Sequence, residues 1–338
     1  MKSVRPLDGS HREAWDRRVT ADPASGFMQS WDWSLFKEAE GYSVVRLGLF
    51  DGEALAGGAL AYIFPTPAEA GVLAVPDGPV LDWDSPEAAG DFLRLTDALR
   101  ARPEARKAVV LRVEPRLESA PPALADLPRA PVDLVPEETL LVPLGPEEDM
   151  LKAMKPKGRY NVRLAARHGV EVSLSSDPAD VHELYPILEQ TGRYQDFLVE
   201  PKSFFLNLAC SLPRSMVRFA FARYKGMTLA AGLAIRHGET LTYLYGGHVP
   251  LFPEVMANYA LHWGLMREGW LEGARAYDFY GYVPPGDPGH PYDRFSRFKE
   301  KFGGRHVRRV GSRDLVSYDR LADVALGVLR STSRRPVP

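Results

Sequence analysis

The sequence predicts an α/β (α+β) protein built from two similar halves, each with a mixed sheet. Three observations predict it. A hairpin pattern occurs twice, the same succession of elements follows each copy, and 338 residues are too many for one ordinary core. The first copy, residues 43–63, reads SVVRLGLFDGEALAGGALAYI, and the second, residues 217–237, reads VRFAFARYKGMTLAAGLAIRH. Aligning Asp51-Gly52-Glu53 on Lys225-Gly226-Met227 also brings Leu55-Ala56-Gly57-Gly58 onto Leu229-Ala230-Ala231-Gly232, an offset of 174 residues. Each copy is an apolar run, a two-residue turn built on glycine and a second apolar run, the pattern of a β-hairpin.

A further strand, a helix and a short strand come after each hairpin. The first helix is expected over 85–102, with Ser85 as N-cap and Pro86 in the first helical position. Its strand is expected over 108–114; in the second half the helix is expected over 253–272 and the strand over 274–280. The small residues Gly57, Gly58 and Gly232 resemble the central strand of GNAT-fold acyltransferases, where they let a ligand's backbone approach closely. Two tandem GNAT-like domains are therefore expected. Two unrelated α/β units are the plainer alternative.

A segment rich in proline, residues 121–146, separates the copies. Because residues 138–144 are apolar enough for a strand, the border is expected near 145, giving domains 1–145 and 146–317. A closing helix over 318–332, with apolar positions Leu321, Val324, Ala325 and Val328, is expected to pack back on the first domain.

Apolar residues make up 45% and charged residues 25% of the chain, the profile of a soluble globular protein. No apolar run is long enough to span a bilayer and no signal-peptide core follows Met1, so the cytoplasm is the expected compartment, with peripheral membrane contact open. Cys210 is the only cysteine and, flanked by Leu208 and Ala209, is expected to be buried. Metal-binding, P-loop and nucleophile-elbow motifs do not occur, so neither a metal nor another cofactor is expected.

The formal charge of −2 conceals a sharp local inversion. Residues 68–150 hold seventeen acids against eight bases, whereas 152–168 hold Lys152, Lys155, Lys157, Arg159, Arg163 and Arg167 and no acid. A second basic stretch, 294–313, has eight Lys/Arg residues against Glu300 alone. A polyanion should therefore meet the second half of the chain, unless these are simply solvated faces. A CoA-dependent enzyme of this fold needs backbone N–H groups to cradle a pyrophosphate. The two connections that could supply them, Gly246–Pro253 and Val75–Pro79, carry prolines where donors are needed. The acyl carrier is thus expected to be something other than CoA.

Several segments occur in order between residues 27 and 304. They are Phe27-Met28-Gln29-Ser30-Trp31-Asp32-Trp33 with Lys37, Lys155-Pro156-Lys157-Gly158-Arg159-Tyr160-Asn161, Thr191-Gly192-Arg193-Tyr194 and Tyr243-Leu244-Tyr245-Gly246-Gly247. Met256-Ala257-Asn258-Tyr259, Tyr277-Asp278-Phe279-Tyr280-Gly281 and Phe295-Ser296-Arg297-Phe298-Lys299-Glu300-Lys301-Phe302-Gly303-Gly304 complete the series. Together they resemble the Fem family of tRNA-dependent peptidoglycan aminoacyltransferases (peptidyltransferases), in a short form without that family's coiled-coil arm.

The resemblance implies transfer of an amino acid from aminoacyl-tRNA to the side-chain amine of a stem peptide, on a UDP-linked or lipid-linked muropeptide. It implies that Lys37 and Arg193 hold the precursor's phosphates, that Tyr245, Tyr194 and Trp33 contact substrate, and that Lys299 and Phe298 form the catalytic pair. Lys155, Lys157, Arg159 and Arg163 are the candidate tRNA or phosphate contacts. Taken without the family, Lys37 reads equally as a solvated helix residue, Arg193 as a loop salt bridge, Phe298 as core and Lys299 as a surface cation. Asp278 reads as a proton acceptor or, more simply, as a structural acid. Two other functions remain open on the residues: an N-acyltransferase using CoA or another acyl donor, and a non-catalytic module binding RNA or a sugar nucleotide.

Overall fold

A computed structural model describes residues 2–65, 71–195, 198–284 and 293–321. The chain divides into two units, one of residues 1–137 with 309 onward and one of residues 138–308. In chain order the first unit contains β1 (Ser3–Pro6), α1 (Arg12–Ala21), α2 (Trp31–Ala39), β2 (Ser43–Asp51), β3 (Ala54–Pro65), β4 (Gly71–Pro76), α3 (Ala88–Arg100), β5 (Ala108–Glu114) and α4 (Pro122–Ala125). The second contains β6 (Glu138–Pro143), α5 (Glu147–Ala153), α6 (Pro156–Arg167), β7 (Glu171–Ser175), α7 (Val181–Gln195), α8 (Lys202–Ser211), β8 (Val217–Tyr224), β9 (Met227–His237) and β10 (Thr240–His248). It continues with α9 (Ala257–Leu271), β11 (Ala276–Asp278), α10 (Asp293–Lys299) and β12 (Arg305–Arg308), after which β13 (Arg313–Val316) belongs to the first unit.

Both repeated hairpins form, β2–β3 and β8–β9, and each turns through a left-handed glycine, Gly52 at φ 58° and Gly226 at φ 78°. In each unit the hairpin extends to a third antiparallel strand, and a helix then leads to a strand parallel to that third one. These are β4 with β5 and β10 with β11. The sheets run β1-β2-β3-β4-β5-β13 and β12-β6-β11-β10-β9-β8-β7. The fold is α/β with two GNAT-like units and mixed sheets. Each unit has its own apolar core, one centred on Leu73, Phe92, Leu95 and Leu111, the other on Leu241, Leu261, Leu265 and Phe302.

Several expectations are corrected. The strand β6 lies in the second sheet, paired with β11 and β12, so the border falls before it rather than near 145. The chain re-enters the first unit at Arg309, because β13 pairs with β5 and Asp314 accepts a two-pronged hydrogen bond from Arg112 at 2.8 and 2.9 Å. The first crossover helix begins at Ala88, not Ser85, whose hydroxyl accepts the Glu87 N–H in a preceding turn. The second begins at Ala257, because Met256 adopts a left-handed conformation (φ 58°) that breaks it from the 3-10 turn at Pro253–Val255. Cys210 is exposed: α8 buries Phe204, Phe205, Leu208 and Ala209, and residue 210 points away from that stripe. Residues 318–321 are helical and Arg320 donates to carbonyls of Arg100, Ala105 and Ala108; the rest of the expected helix over 318–332 lies outside the described residues.

Candidate active site

The two parallel strand pairs close differently. In the first unit β4 and β5 pair along their whole length, and the Glu114 N–H reaches on to the Gly78 carbonyl at 3.0 Å. In the second unit β10 and β11 pair only at Thr240–Thr242 with Ala276–Asp278. Beyond that point β10 runs on to His248 beside β9 alone, with a bulge between Tyr243 and Tyr245. The chain after β11 instead runs along β6, since the Phe279 and Tyr282 N–H groups donate to the carbonyls of Leu140 and Glu138. The two strands therefore part. Among the described residues, the segment of β10 from Tyr243 to His248 keeps an edge without a strand partner.

The small residues expected to admit a ligand serve the fold itself. A Cβ on Gly232 would meet the Tyr243 ring at 2.7 Å, and one on Gly57 would strike the Val80 carbonyl oxygen. Tyr243 fills the space over the bulge in this structure, so close approach at these glycines is internal packing.

Aromatic rings line the parting. Phe298, on α10, packs against Tyr259 (4.9 Å between centroids), His262 (5.4 Å) and Phe302 (5.4 Å). His262, 4% exposed, places Nδ1 2.8 Å from the Tyr277 hydroxyl. Burial, aided by the Lys299 charge, pushes its pKa down to about 3, so it is neutral and accepts the phenol's proton in a hydrogen bond. Lys299 comes directly after Phe298 and turns inward: Nζ donates to the carbonyls of Phe279 (3.0 Å), Tyr280 (3.2 Å) and Gly281. Burial lowers its pKa to about 8, opposed by the negative charge of Asp278. A cation that the sequence sets in a surface run is thus half-buried, with its ammonium turned onto the backbone. The arrangement offers one half-buried ammonium of lowered pKa at the open end of two parting strands, which suits stabilising an oxyanion more than holding a metal. Among the described residues no group of His, Cys, Asp or Glu is placed to bind one.

The remaining expected site residues fall in several places. Tyr245, on the free edge of β10, packs edge-on against Phe204 (5.9 Å) and Phe205 (5.0 Å), and burial raises its pKa. Arg193 and Tyr194 lie in the last turn of α7 and reach into solvent, the Arg193 side chain 80% and Tyr194 70% exposed. Thr191 ties this helix end to β10 by hydrogen bonds with the His248 backbone (2.9 and 3.2 Å). Lys299, Phe298, Tyr245, Arg193 and Tyr194 therefore all belong to the second unit.

Lys37 and Trp33 belong to the first unit. Lys37 lies with Nζ 4.1 Å from the Tyr42 ring centre. Trp33 is 4% exposed between Phe27 and Phe36, which makes it a packing residue rather than an exposed contact.

Of the basic candidates, Lys157 and Arg163 are exposed on α6, while Lys155 pairs with Glu300 (2.6 Å) and Arg159 donates to the carbonyls of Lys152 and Met154 at the end of α5. Sequence reasoning missed Arg167 as a contact; it lies over the exposed Tyr160 ring at 5.6 Å and continues the α6 stripe, which the four-residue helical spacing could have revealed. It also missed Thr139, which no local motif marks.

Residues 11–121 match the FemAB family and residues 155–299 match a GNAT acetyltransferase domain. No curated protein matches the sequence. A crystal structure of FemX is similar in fold, with a TM-score of 0.83 at 17% identity, covering 95% of this chain and 99% of that one. The C-terminal domain of a putative lysylphosphatidylglycerol synthetase from Agrobacterium fabrum is similar at TM-score 0.54 and 16% identity, covering 95% and 96%. A tandem GNAT protein from the clavulanic acid biosynthesis pathway is similar at 0.54 and 11%, covering 93% and 97%. The first half of the chain thus carries a FemAB match and the second a GNAT domain match, on a fold shared with these structures.

Proposed function

We propose that the chain is an aminoacyltransferase of peptidoglycan synthesis, moving an amino acid from aminoacyl-tRNA to the side-chain amine of a muropeptide precursor. The observation that carries this reading is the inward-turned, half-buried Lys299 at the parting of β10 and β11, beside the aromatic wall of Phe298, Tyr259 and Phe302. The neutral amine of the acceptor attacks the ester carbon, a C–N bond forms, and the carbonyl oxygen becomes an oxyanion. When the C–O bond to the tRNA ribose breaks, the amine's proton passes to the departing ribose oxygen, so the step balances without ATP or a metal. Lys299 turns one N–H from its carbonyl partner to the oxyanion; removing such a donor costs roughly 10²–10³ in rate. Phe298 walls the site against water, and the surrounding rings let the ammonium act in a medium of low polarity.

The exposed stripe of Lys157, Arg163 and Arg167 on α6, with Tyr160 between them, is the surface this reading gives to the tRNA backbone. In the second unit, the exposed Arg193 would hold a phosphate of the precursor. Among the described residues no helix is long and apolar enough to cross a membrane, which leaves the precursor's carrier, UDP or a lipid, to be identified by assay.

The test is a transfer assay with purified protein, charged tRNAs and each muropeptide form. An amide product is expected with at least one pair, and Lys299→Met should cut turnover by roughly 10²–10³ while precursor binding holds. Failure of every pair to give product, with acetyl-CoA giving one instead, would overturn the reading in favour of a CoA-dependent acyltransferase.

A further inference from the structure

Asp278, the last residue of β11, is fully buried. Its Oδ1 accepts the hydroxyl of Thr139, on the neighbouring strand β6, and the backbone N–H of Tyr280 at 2.9 Å. The Tyr280 contact is an Asx-type turn, and it holds the backbone where the chain bends most sharply. Tyr280 adopts a left-handed conformation (φ 45°) that is costly for a residue with a side chain, and Gly281 continues it (φ 81°). The chain thereby aims three successive carbonyls, of Phe279, Tyr280 and Gly281, at a single point, and Lys299 Nζ occupies that point. An ammonium has three N–H groups, so the turn can engage all three.

We propose that Asp278 is a positioning residue for the acyl-transfer centre: through Thr139 and the Tyr280 N–H it holds the turn whose three carbonyls seat the Lys299 ammonium. The inference rests on the reading of Lys299 given above. It explains why an acid stands at this strand end. A serine or asparagine could cap the turn, but neither would bring a negative charge beneath the ammonium. That charge counters the burial that drives Lys299 toward its neutral form. His262 on α9, which feels the Lys299 charge, and the Tyr243 and Tyr277 phenols packed on it are neutral at neutral pH, since burial depresses the imidazole and raises the phenols, and Glu300, next in the chain, turns to Lys155 and Tyr282. Among these groups, Asp278 is therefore the one whose charge acts on Lys299.

The experiment is a pH titration of Lys299 by the ¹³Cε signal of lysine-labelled full-length protein, assigned by its loss in Lys299→Met. In Asp278→Asn, which keeps the shape and removes the charge, the midpoint is expected to fall by roughly 1–3 pH units, the effect of losing an adjacent opposite charge. The alkaline limb of kcat should move down with it, while KM for the precursor stays unchanged. Thr139→Val should lower kcat, and Thr139→Ser should restore it, a pair that still decides the matter if Asp278→Asn does not fold. An unmoved midpoint in Asp278→Asn, or Thr139→Val as active as wild type, overturns the proposal. The titration needs no substrate: a shifted midpoint in a protein that makes no amide product would sink the acyl-transfer reading and leave the coupling of Asp278 to Lys299 standing.

Discussion

Glu114→Gln should remove a pH dependence of stability that the first unit carries. Glu114 ends β5 at 5% exposure, and burial is the main reason its pKa rises from 4.5 to about 7. Hydrogen-bond counting agrees. Ser312 Oγ lies within reach of both Glu114 Oε1 and Asp133 Oδ1 (2.6 Å), but a hydroxyl has one proton to give. Burial alone would raise Asp133, yet the Arg129 guanidinium and Ser312 hold it below its ordinary value, so Asp133 stays ionised and takes that proton. Glu114 is then the group that keeps its own proton, and among the described residues its Oε2 has no hydrogen-bond partner.

A carboxyl whose folded pKa lies above its unfolded one binds its proton more tightly when folded. Its contribution is complete below about 4.5 and is lost as pH rises through about 7. The difference between those two values, at about 1.36 kcal/mol per pH unit, corresponds to about 3 kcal/mol. Urea unfolding followed by tryptophan fluorescence at pH 5 and pH 8 measures it. Wild type should lose about 2.5 kcal/mol more than Glu114→Gln between the two pH values, since at pH 5 the unfolded carboxyl is already partly ionised. Equal losses in the two proteins would show that Glu114 is ionised in the folded state and refute the reasoning.

Lys37→Ala and Arg193→Ala should each raise the apparent KM for precursor with little change in kcat; steady-state kinetics at saturating tRNA reads this, and an unchanged KM removes that residue from phosphate binding. Arg163→Glu should weaken tRNA binding and flatten its dependence on salt by roughly 1 unit of log–log slope, measured by titration at several ionic strengths. Asp314→Ala leaves the buried Arg112 guanidinium without its carboxylate and should destabilise the first unit by roughly 3–5 kcal/mol in urea unfolding, a loss that Arg112→Met in the same background should partly recover.

Local chemistry made the repeated hairpins readable. Glycine at the turn and alternating small and apolar residues specify strand, turn and strand within one short stretch of chain, and nothing distant has to be known. Partner choice is another matter. The segment TLLV at 139–142 reads as a strand wherever it pairs, and its place between β11 and β12 depends on residues far along the chain, at 276–278 and 305–308. The same limit applies at the site. Lys299 sits in a cationic run whose alternation fits a solvated face, and its inward turn comes from the carbonyls of 279–281, which no side-chain pattern encodes. Trp33 and Lys37 stand one helical turn apart in the sequence, but one is core and the other lies against a tyrosine ring, a distinction set by what packs on each.

The two units share an order of strands and differ in how one parallel pair ends. In the first unit the strands stay joined past their ends, and the acid at the end of β5, Glu114, turns into the serine and backbone groups that fasten the returning chain. In the second unit the topologically matching strand stops after three pairs, and the acid at its end, Asp278, turns into the loop that receives a lysine. Each unit thus buries a carboxyl group at the carboxyl end of its crossover strand. Where the strands remain closed, the acid can only fasten the fold and offsets its desolvation by holding a proton. Where they part, the acid stands under a turn that holds the Lys299 cation, and its charge acts on that cation. The proposed function needs such an opening beside Lys299, and among the described residues the second unit has it where the first does not.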